Sequence, residues 1–298
     1  MAHRKLRATR LSKKQATQLR LRLDELSTHV QPGQDPIDFV HRYKDSDDQE
    51  VAALLASSLA FGRVAAFSQV LDALFDLADR AGGPSAWARR SLHQPDPAID
   101  HLFYRWVRGP DLQRWLRTIA RFKQHHGSVQ QFVEARYVEK ESDIGRVLHQ
   151  LIAAFRACAL DHVDEHFTDL PRGFRHLLPL PGGGSASKRW CMFARWMTRS
   201  GSPDLGIWRI PPSKLIIPLD THIHRVSRFI GLTRRKDASW RTAVEITDNL
   251  RRIDIVDPIR YDFVLAHLGI SGTCEARRIP ATCDPCPLVT VCNIGGPG

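Results

Sequence analysis

The clearest break in the sequence is the stretch Leu178-Pro179-Leu180-Pro181-Gly182-Gly183-Gly184-Ser185. Two prolines and three consecutive glycines exclude a helix at this point. A helical run of sequence, from about Ala186 to Met197, follows it directly. We therefore predict one helical domain over residues 46–185, which ends at this break, and a second domain over residues 186–298. Residues 1–45 form a basic tail and a helix that we expect to pack on the second domain.

Apolar residues recur with helical spacing on both sides of this break. The spacing i, i+3, i+4 is typical of amphipathic helices. It is present in the segments Val51–Leu59, Phe67–Phe75, Leu112–Ala120 and Ile144–Phe155. No segment alternates convincingly with period two, and no Asn-Gly pair joins two apolar runs, so strands are not predicted. The sequence predicts an all-α fold.

Two further helices have clear boundary residues. Asp220 and Thr221 open an apolar periodic segment that Gly231 closes, which predicts a helix with an aspartate as its N-cap. Asp257 followed by Pro258 is a typical pair of cap and first-turn residues. It predicts a helix that starts there and ends at Gly269.

The charge of the chain favours a polyanionic partner. Lys plus Arg number 43 against 32 for Asp plus Glu, which gives 298 residues a formal net charge of +11. Neutralised phosphates release counterions, so such an excess favours nucleic acid, although a soluble protein that is simply basic is the alternative. The ordinary composition excludes wholesale disorder. Without an apolar stretch of about 18 residues or a signal-peptide core, we expect a cytoplasmic, nucleoid-associated protein and no membrane partner.

Four of the six cysteines lie within 19 residues. Cys274, Cys283, Cys286 and Cys292 follow the spacing C-x8-C-x2-C-x5-C. Clustered thiols in a reducing compartment are typical of metal ligands, since thiolates favour zinc and iron–sulfur centres. The spacing alone does not choose between zinc and a 4Fe–4S cluster, and a chance grouping of buried thiols is the remaining alternative.

This array has a specific resemblance. The stretch Leu265-Ala266-His267-Leu268-Gly269 and the cysteines after it resemble the iron–sulfur loop of endonuclease III and its adenine-glycosylase relatives. Those relatives have six residues between the first two cysteines, and this chain has eight. The resemblance implies a structural 4Fe–4S cluster rather than zinc. It also implies that Arg277 and Arg278 contact phosphates, with solvated loop arginines as the alternative.

A second motif surrounds Asp220. The stretch Leu219-Asp220-Thr221-His222-Ile223-His224-Arg225-Val226 resembles a segment of the helix-hairpin-helix DNA glycosylase superfamily. In that superfamily the aspartate lies at a helix N-terminus beside the flipped nucleotide. The helix dipole and free N–H groups keep such an aspartate ionised. The anion can then stabilise positive charge on a sugar C1′ as the base leaves. A simple N-cap is the alternative role for Asp220.

A third motif lies in the break itself. Leu180-Pro181-Gly182-Gly183-Gly184 resembles the superfamily's Leu-Pro-Gly-x-Gly hairpin, whose glycines let backbone N–H groups approach a phosphate. The resemblance implies DNA contacts at Gly182, Gly183, Gly184 and Ser185, and it matches Lys188 to the Schiff-base lysine of the bifunctional members. Lys188 lies four residues past Gly184, where endonuclease III has two. The longer gap from this lysine to Asp220 resembles the archaeal 8-oxoguanine glycosylase branch. A surface lysine is the alternative.

Together these resemblances imply a two-lobed helix-hairpin-helix DNA glycosylase with AP-lyase activity, with Lys188 and Asp220 as its catalytic residues. Its partner would be double-stranded DNA with a damaged base or an abasic site, and we expect a monomer. A side chain from the turn Ser57–Arg63 would fill the gap left by the flipped base, with Arg63 in contact with DNA. The damaged base is expected to be an oxidised purine such as 8-oxoguanine, with oxidised pyrimidines, deaminated or alkylated bases and simple abasic-site cleavage as the alternatives.

Two other functions stay open. The stretches Ala56–Arg63 and Lys214–His222 resemble a bacterial family of unknown function, which leaves the reaction undetermined. The chain is either an enzyme, a non-catalytic DNA-structure or lesion-binding protein of the same fold, or an iron–sulfur electron carrier. Loss of activity when Lys188 is replaced would distinguish the enzyme from the non-catalytic DNA-binding protein. Salt-dependent DNA binding would argue against the iron–sulfur electron carrier.

Overall fold

The computed structural model of the protein describes residues 9–28, 35–182, 184–270, 272, 274–275 and 277–294. These residues are mostly helical, which confirms the all-α prediction. The α-helices are α1 (Lys13–Ser27), α2 (Ser46–Leu59), α3 (Val64–Arg80), α4 (Pro84–Arg90), α5 (Gly109–His126), α6 (Val129–Glu134), α7 (Gly145–Cys158), α8 (Arg172–Leu177), α9 (Lys188–Thr198), α10 (Thr221–Phe229), α11 (Trp240–Arg251), α12 (Asp262–Ile270) and α13 (Pro280–Cys283). Short 3-10 helices span Pro36–Arg42, Pro97–His101, Phe167–Asp169, Pro212–Lys214 and Val289–Val291. Each described helix falls short of the length and apolarity needed to cross a membrane.

A small hairpin interrupts the helices. Strand β1 (Phe103–Tyr104) pairs antiparallel with strand β2 (Val107–Arg108). Arg105, in the turn between them, has a φ of 56°, in the left-handed region. Strands of two residues are too short to leave an alternating pattern in the sequence, so this hairpin was not predicted.

The chain divides into two compact units. Unit 1 consists of Met1–Pro32, Gly182–Cys191 and Pro211–Gly298, and unit 2 consists of Gly33–Pro181 and Met192–Ile210. Three segments therefore differ from the predicted arrangement. Residues 35–45 and 192–210 belong with the helices of unit 2, and the glycine turn from Gly182 to Ser185 belongs with unit 1. Helix α9 is continuous across this division, so its sequence carries no signal of the change.

Unit 2 is built around α5. This helix packs on α4, α6, α7 and α8, and its apolar face carries Trp115 and Phe122, which are buried. Phe122 stacks on Phe155 of α7, with ring centroids 4.1 Å apart and planes inclined by 15°. The indole N–H of Trp115 donates to the Ser58 hydroxyl at 3.1 Å, so the one polar atom of that ring is satisfied inside the core.

Unit 1 is built on the packing of α10 against α12. Their approach is close at Gly269, where an added Cβ would lie 2.5 Å from the Cβ of His222. Only glycine fits there, and the Arg225 guanidinium donates to the Gly269 carbonyl at 3.1 Å. Helix α1 also packs on α12, and the Tyr261 hydroxyl, just before α12, donates to Asp24 at 2.6 Å. The N-terminal helix is thereby fixed to the C-terminal part of the chain.

One of the two helix starts predicted from the sequence is confirmed, and the other is wrong. Helix α10 begins after Asp220, as predicted. The prediction of a helix start at Asp257 was wrong, since α12 begins at Asp262 and runs to Ile270. The side chain of Asp254 instead accepts hydrogen bonds from the backbone N–H groups of Val256 and Asp257, both at 3.0 Å. That local bond stabilises a turn, so Asp257 and Pro258 lie in the turn before the helix.

Candidate functional site

The glycine-rich turn before α9 has an open backbone. Gly182 and Gly184 both have a φ of +87°, and a Cβ added at either would meet nothing within 4 Å. Ser185 accepts a hydrogen bond through its hydroxyl from the Ser187 N–H at 3.0 Å. Gly183, also predicted to contact DNA, lies outside the described residues. The described part of the turn therefore presents accessible backbone, which a bulky ligand can approach closely.

Lys188 is the first residue of α9. The helix starts where the N–H groups of Trp190 and Cys191 bond to the Ser187 carbonyl, both at 3.0 Å. Lys188 is partly exposed, whereas the next residue, Arg189, is 7% exposed. Burial lowers the pKa of the Arg189 guanidinium. The fold thus places Lys188 at a helix N-terminus with its side chain accessible from solvent.

Asp220 is the N-cap of α10. Its carboxylate accepts hydrogen bonds from the N–H groups of His222 at 2.9 Å and Ile223 at 2.8 Å. Leu219 and Ile223 on either side are buried, which fixes the start of the helix while Asp220 stays partly exposed. The cap confirms the structural part of the prediction for Asp220. A carboxylate held in this way is oriented by the first turn of the helix.

The four clustered cysteines line one cavity in unit 1. Cys274, Cys283, Cys286 and Cys292 surround about 50 Å³ of space together with apolar side chains of α10, α12 and the C-terminal segment, which include Val226, Phe229, Ile230, Leu268, Leu288 and Val289. A water-sized sphere needs roughly 10–15 Å³ of such volume, so the cavity is larger than a single ion requires. Within the described residues, no three His, Cys, Asp or Glu side chains form a group that could hold one metal ion.

Local backbone bonds hold these cysteines in place. The N–H of Cys274 donates to the Leu268 carbonyl at 3.2 Å, and the N–H of Cys286 donates to the Cys283 carbonyl at 3.1 Å. The Cys283 sulfur accepts from the Ile279 N–H at 3.4 Å. The segments that carry Cys274, Cys283 and Cys286 are therefore anchored either to α12 or to a neighbour in the loop, and Asn293, next to Cys292, donates to the Phe229 carbonyl of α10 at 2.8 Å.

The thiols in this cavity influence one another electrostatically. Burial raises the pKa of the Cys274 thiol, and the charges of the other three thiols raise it further, against an opposing effect of Arg225. Burial also raises the pKa of the Cys286 thiol. Four thiolates in one apolar cavity are stable only beside compensating positive charge. This donor set fits an iron–sulfur cluster, whose irons are held by four Cys thiolates.

The two loop arginines have acidic partners on their own loop. Arg277 pairs with Glu275 at 3.2 Å, and Arg278 pairs with Asp284 at 2.6 Å. The Arg277 side chain is 78% exposed. Exposed pairs of this kind contribute about 0–1 kcal/mol, so a phosphate can compete for either arginine at little cost.

Arg63, the remaining predicted DNA contact, lies in unit 2 just before α3. Its turn approaches the β1–β2 hairpin, because a Cβ added to Gly62 would lie 2.6 Å from the Tyr104 hydroxyl and 3.0 Å from the Arg105 guanidinium. The Tyr104 hydroxyl donates to the Phe61 carbonyl. Arg63 and Arg105 are both exposed, so this turn and the hairpin together form a basic surface.

That surface also carries an aromatic group that the sequence did not predict, the ring cluster Phe61, Trp106 and His176. The Phe61 ring stacks on Trp106, with centroids 5.4 Å apart, and His176 contacts both rings edge-on at 4.9 Å. Arg105 lies over the Trp106 ring, 4.6 Å from its centroid, and Trp106 is 38% exposed. The mixture of aromatic and basic residues from Phe103 to Arg108 is the sequence signal that could have predicted this ring cluster.

Comparisons with known proteins give the family but no function. Residues 35–271 match the family model described as Protein of unknown function (DUF2400). Neither the comparison with curated proteins nor that with solved structures gave a match. The family match covers 237 of 298 residues, from the first 3-10 helix to the end of α12. The chain therefore belongs to the DUF2400 family.

Proposed function

We propose that this protein is a DNA repair glycosylase with AP-lyase activity, of the helix-hairpin-helix type with a C-terminal 4Fe–4S cluster. One observation carries the proposal. A single compact unit contains the open glycine turn, a lysine at the start of a helix, an aspartate that caps another helix and a cavity lined by four cysteines. This set of features has a direct use in base removal, and the electron-carrier alternative needs neither the lysine nor the aspartate.

DNA binding would use the open backbone and the positive charge. Gly182 and Gly184 leave N–H groups accessible to a phosphate, and backbone donors at such turns are a common way to bind phosphate. Arg277 and Arg278 can exchange their exposed acidic partners for phosphates. In unit 2, the ring cluster and Arg63 offer a basic surface with an exposed indole on which an unstacked base can lie.

The cluster would be held by Cys274, Cys283, Cys286 and Cys292. When bound, it would supply the positive charge that these four thiolates lack. Its role in this proposal is structural, since it keeps the loop that carries Arg277 and Arg278 in one conformation. Zinc is the alternative occupant of the same thiols.

The chemistry would be carried by Lys188 and Asp220. The neutral amine of Lys188 attacks C1′ of the damaged nucleotide, the bond from C1′ to the base nitrogen breaks, and the base leaves with the bonding electron pair and takes up a proton. Positive charge develops on the sugar at that moment, and the Asp220 carboxylate stabilises it. One amine proton is then lost, the C1′–O4′ bond breaks and O4′ takes up a proton, which leaves a protonated Schiff base between Lys188 and the opened sugar. Removal of a C2′ proton then expels the 3′ phosphate by β-elimination, and water releases the lysine.

The proposal is tested with a panel of DNA duplexes, each with one defined lesion, scored for base release separately from strand cleavage. We expect base release from at least one oxidised base, with oxidised purines first, and strand cleavage that depends on Lys188. The Lys188→Gln protein is the matched control. Cleavage of abasic DNA alone would contradict the glycosylase activity and support the AP-lyase activity. Tight binding of damaged DNA without any cleavage would favour the non-catalytic lesion binder.

A further inference from the structure

Unit 1 contains a second, larger cavity that adjoins the cysteine cavity. Its volume is about 530 Å³, within the range of small-ligand sites. Three parts of the chain form it, namely residues 9–19 at the start of α1, residues 228–234 at the end of α10 and residues 290–293. Ile230 and Cys292 line both cavities. We call this space the arginine cavity.

The lining of the arginine cavity is polar and positively charged. Arg10, Arg228 and Arg234 line it, and among the described lining residues none carries a carboxylate. All three arginines are exposed and form no ion pair with a described residue. The Glu245 carboxylate accepts from the Thr233 hydroxyl at 2.9 Å and from the Thr9 N–H at 3.4 Å, so it bonds to the wall rather than to the arginines.

Arg228 alone has an ordinary explanation. It lies in the last turn of α10, where a cation interacts favourably with the negative end of the helix dipole. The helix dipole of α10 does not explain Arg10 or Arg234, because both lie outside that helix. Three guanidinium groups that form no ion pair with a described residue place like charges on one cavity, and a bound anion would compensate them.

The edge of the cavity at Thr9 is fixed by hydrogen bonds between the neighbouring backbone and Asn249. The Asn249 side chain donates to the Thr9 carbonyl at 2.9 Å and accepts from the Leu11 N–H at 2.9 Å, so Arg10 between them is held at the cavity. The Thr9 hydroxyl oxygen is buried and has no hydrogen-bond partner among the described residues. A buried polar atom without a partner costs free energy unless a ligand or water satisfies it.

From this arrangement we infer that the arginine cavity binds a phosphate group of a nucleotide. Guanidinium groups match phosphate oxygens in charge and in geometry. The phosphate belongs either to a free nucleotide or to the DNA backbone. The inference needs neither the Lys188 chemistry nor the cysteine-bound cluster. If the phosphate is part of DNA, it deepens and rests on the proposed function.

The test measures binding of three probes to the whole protein by calorimetry. The probes are inorganic phosphate, adenosine 5′-monophosphate and an undamaged DNA duplex, each with the wild type, Arg10→Gln, Arg234→Gln and the double variant. Arg241→Gln is the matched control, since Arg241 is an exposed arginine on α11 outside the cavity. We expect each cavity variant to weaken nucleotide or DNA binding roughly tenfold, with no change in the control.

The probes distinguish the two phosphate sources. A loss confined to adenosine monophosphate and phosphate assigns the cavity to a free nucleotide. A loss confined to the duplex, with a smaller salt dependence of binding, assigns it to the DNA backbone. Equal affinities of wild type, Arg10→Gln and Arg234→Gln for all three probes would overturn the inference. Binding at the arginine cavity is measured without base release, so a lesion panel that shows no glycosylase leaves this result standing and the two failures are distinguishable. The single arginine variants alter exposed positions and keep the test valid if the double variant unfolds.

Discussion

Asp220 has two roles in this account, and substitution can separate them. As the N-cap of α10 it accepts two backbone hydrogen bonds, at 2.9 and 2.8 Å. Asparagine is an equally good N-cap, so Asp220→Asn loses only the charge at the helix N-terminus, about 0.3–1 kcal/mol. Alanine loses both hydrogen bonds as well, about 0.5–2 kcal/mol in all. As an electrostatic stabiliser, however, the carboxylate charge is required, and loss of such a group costs about a hundredfold or more in turnover.

The assay therefore combines urea denaturation with single-turnover base release on the best duplex of the lesion panel. We expect Asp220→Asn to unfold near the wild-type midpoint and to bind DNA normally, but to lose about two orders of magnitude in turnover. Asp220→Ala should lose the same turnover and be the less stable of the two. Asp45→Asn is the control, because Asp45 caps α2 through two similar backbone bonds at 3.0 and 3.3 Å and should keep full turnover.

Two results would refute this reasoning. Wild-type turnover in Asp220→Asn would mean that the carboxylate charge has no part in the reaction and that Asp220 is only a cap. Equal destabilisation by asparagine and alanine would mean that the two N–H bonds do not hold the start of α10. Either result is independent of whether Lys188 is the nucleophile.

Three further predictions concern stability and the cysteines. Burial alone would raise the pKa of Asp161, but the hydrogen bond from Arg121 and two neighbouring arginines lower it below its ordinary value near 3.9. The ionised Asp161 carboxylate therefore stabilises the folded protein fully above about pH 5, and this stabilisation is lost as the pH falls through the lowered pKa. The difference in urea midpoint between wild type and Asp161→Asn should shrink from pH 7 to pH 3. A constant difference would contradict this. Gly269→Ala should cost about 1–3 kcal/mol by overpacking against His222, measured by urea denaturation, and an unchanged midpoint would show that α10 and α12 separate freely. Anaerobically purified protein should be brown, absorb broadly near about 400 nm and contain about four irons, with colour lost in Cys283→Ser; colourless protein with one zinc would favour the other occupant.

Local features of the structure could be predicted from the sequence. The cap at Asp220 depends on a side chain and the next three residues, so its signal lies within one turn of sequence. The shared cavity of Cys283 and Cys286 follows in the same way from close spacing. The periodic helices α2, α3, α5 and α7 were also predicted, because one buried face imposes the period on the sequence.

Features assembled from distant segments could not be predicted. The ring cluster joins Phe61, Trp106 and His176, which lie on a turn, a hairpin and a helix far apart in the chain. The arginine cavity likewise needs both ends of the chain. The assignment of Asp257 as a helix start failed because Asp254 offers the backbone a competing local hydrogen bond, which periodicity does not report.

The most direct test of the central claim is covalent trapping. Borohydride reduces a Schiff base between protein and sugar to a stable amine, so the adduct survives denaturation and its site can be found by peptide mass spectrometry. The wild type, incubated with an abasic or damaged duplex, should give one adduct at Lys188, and Lys188→Gln should give none while still binding the DNA. The account is contradicted if the adduct persists in Lys188→Gln, in which case Lys214 is the next amine to examine. It is also contradicted if no duplex gives an adduct.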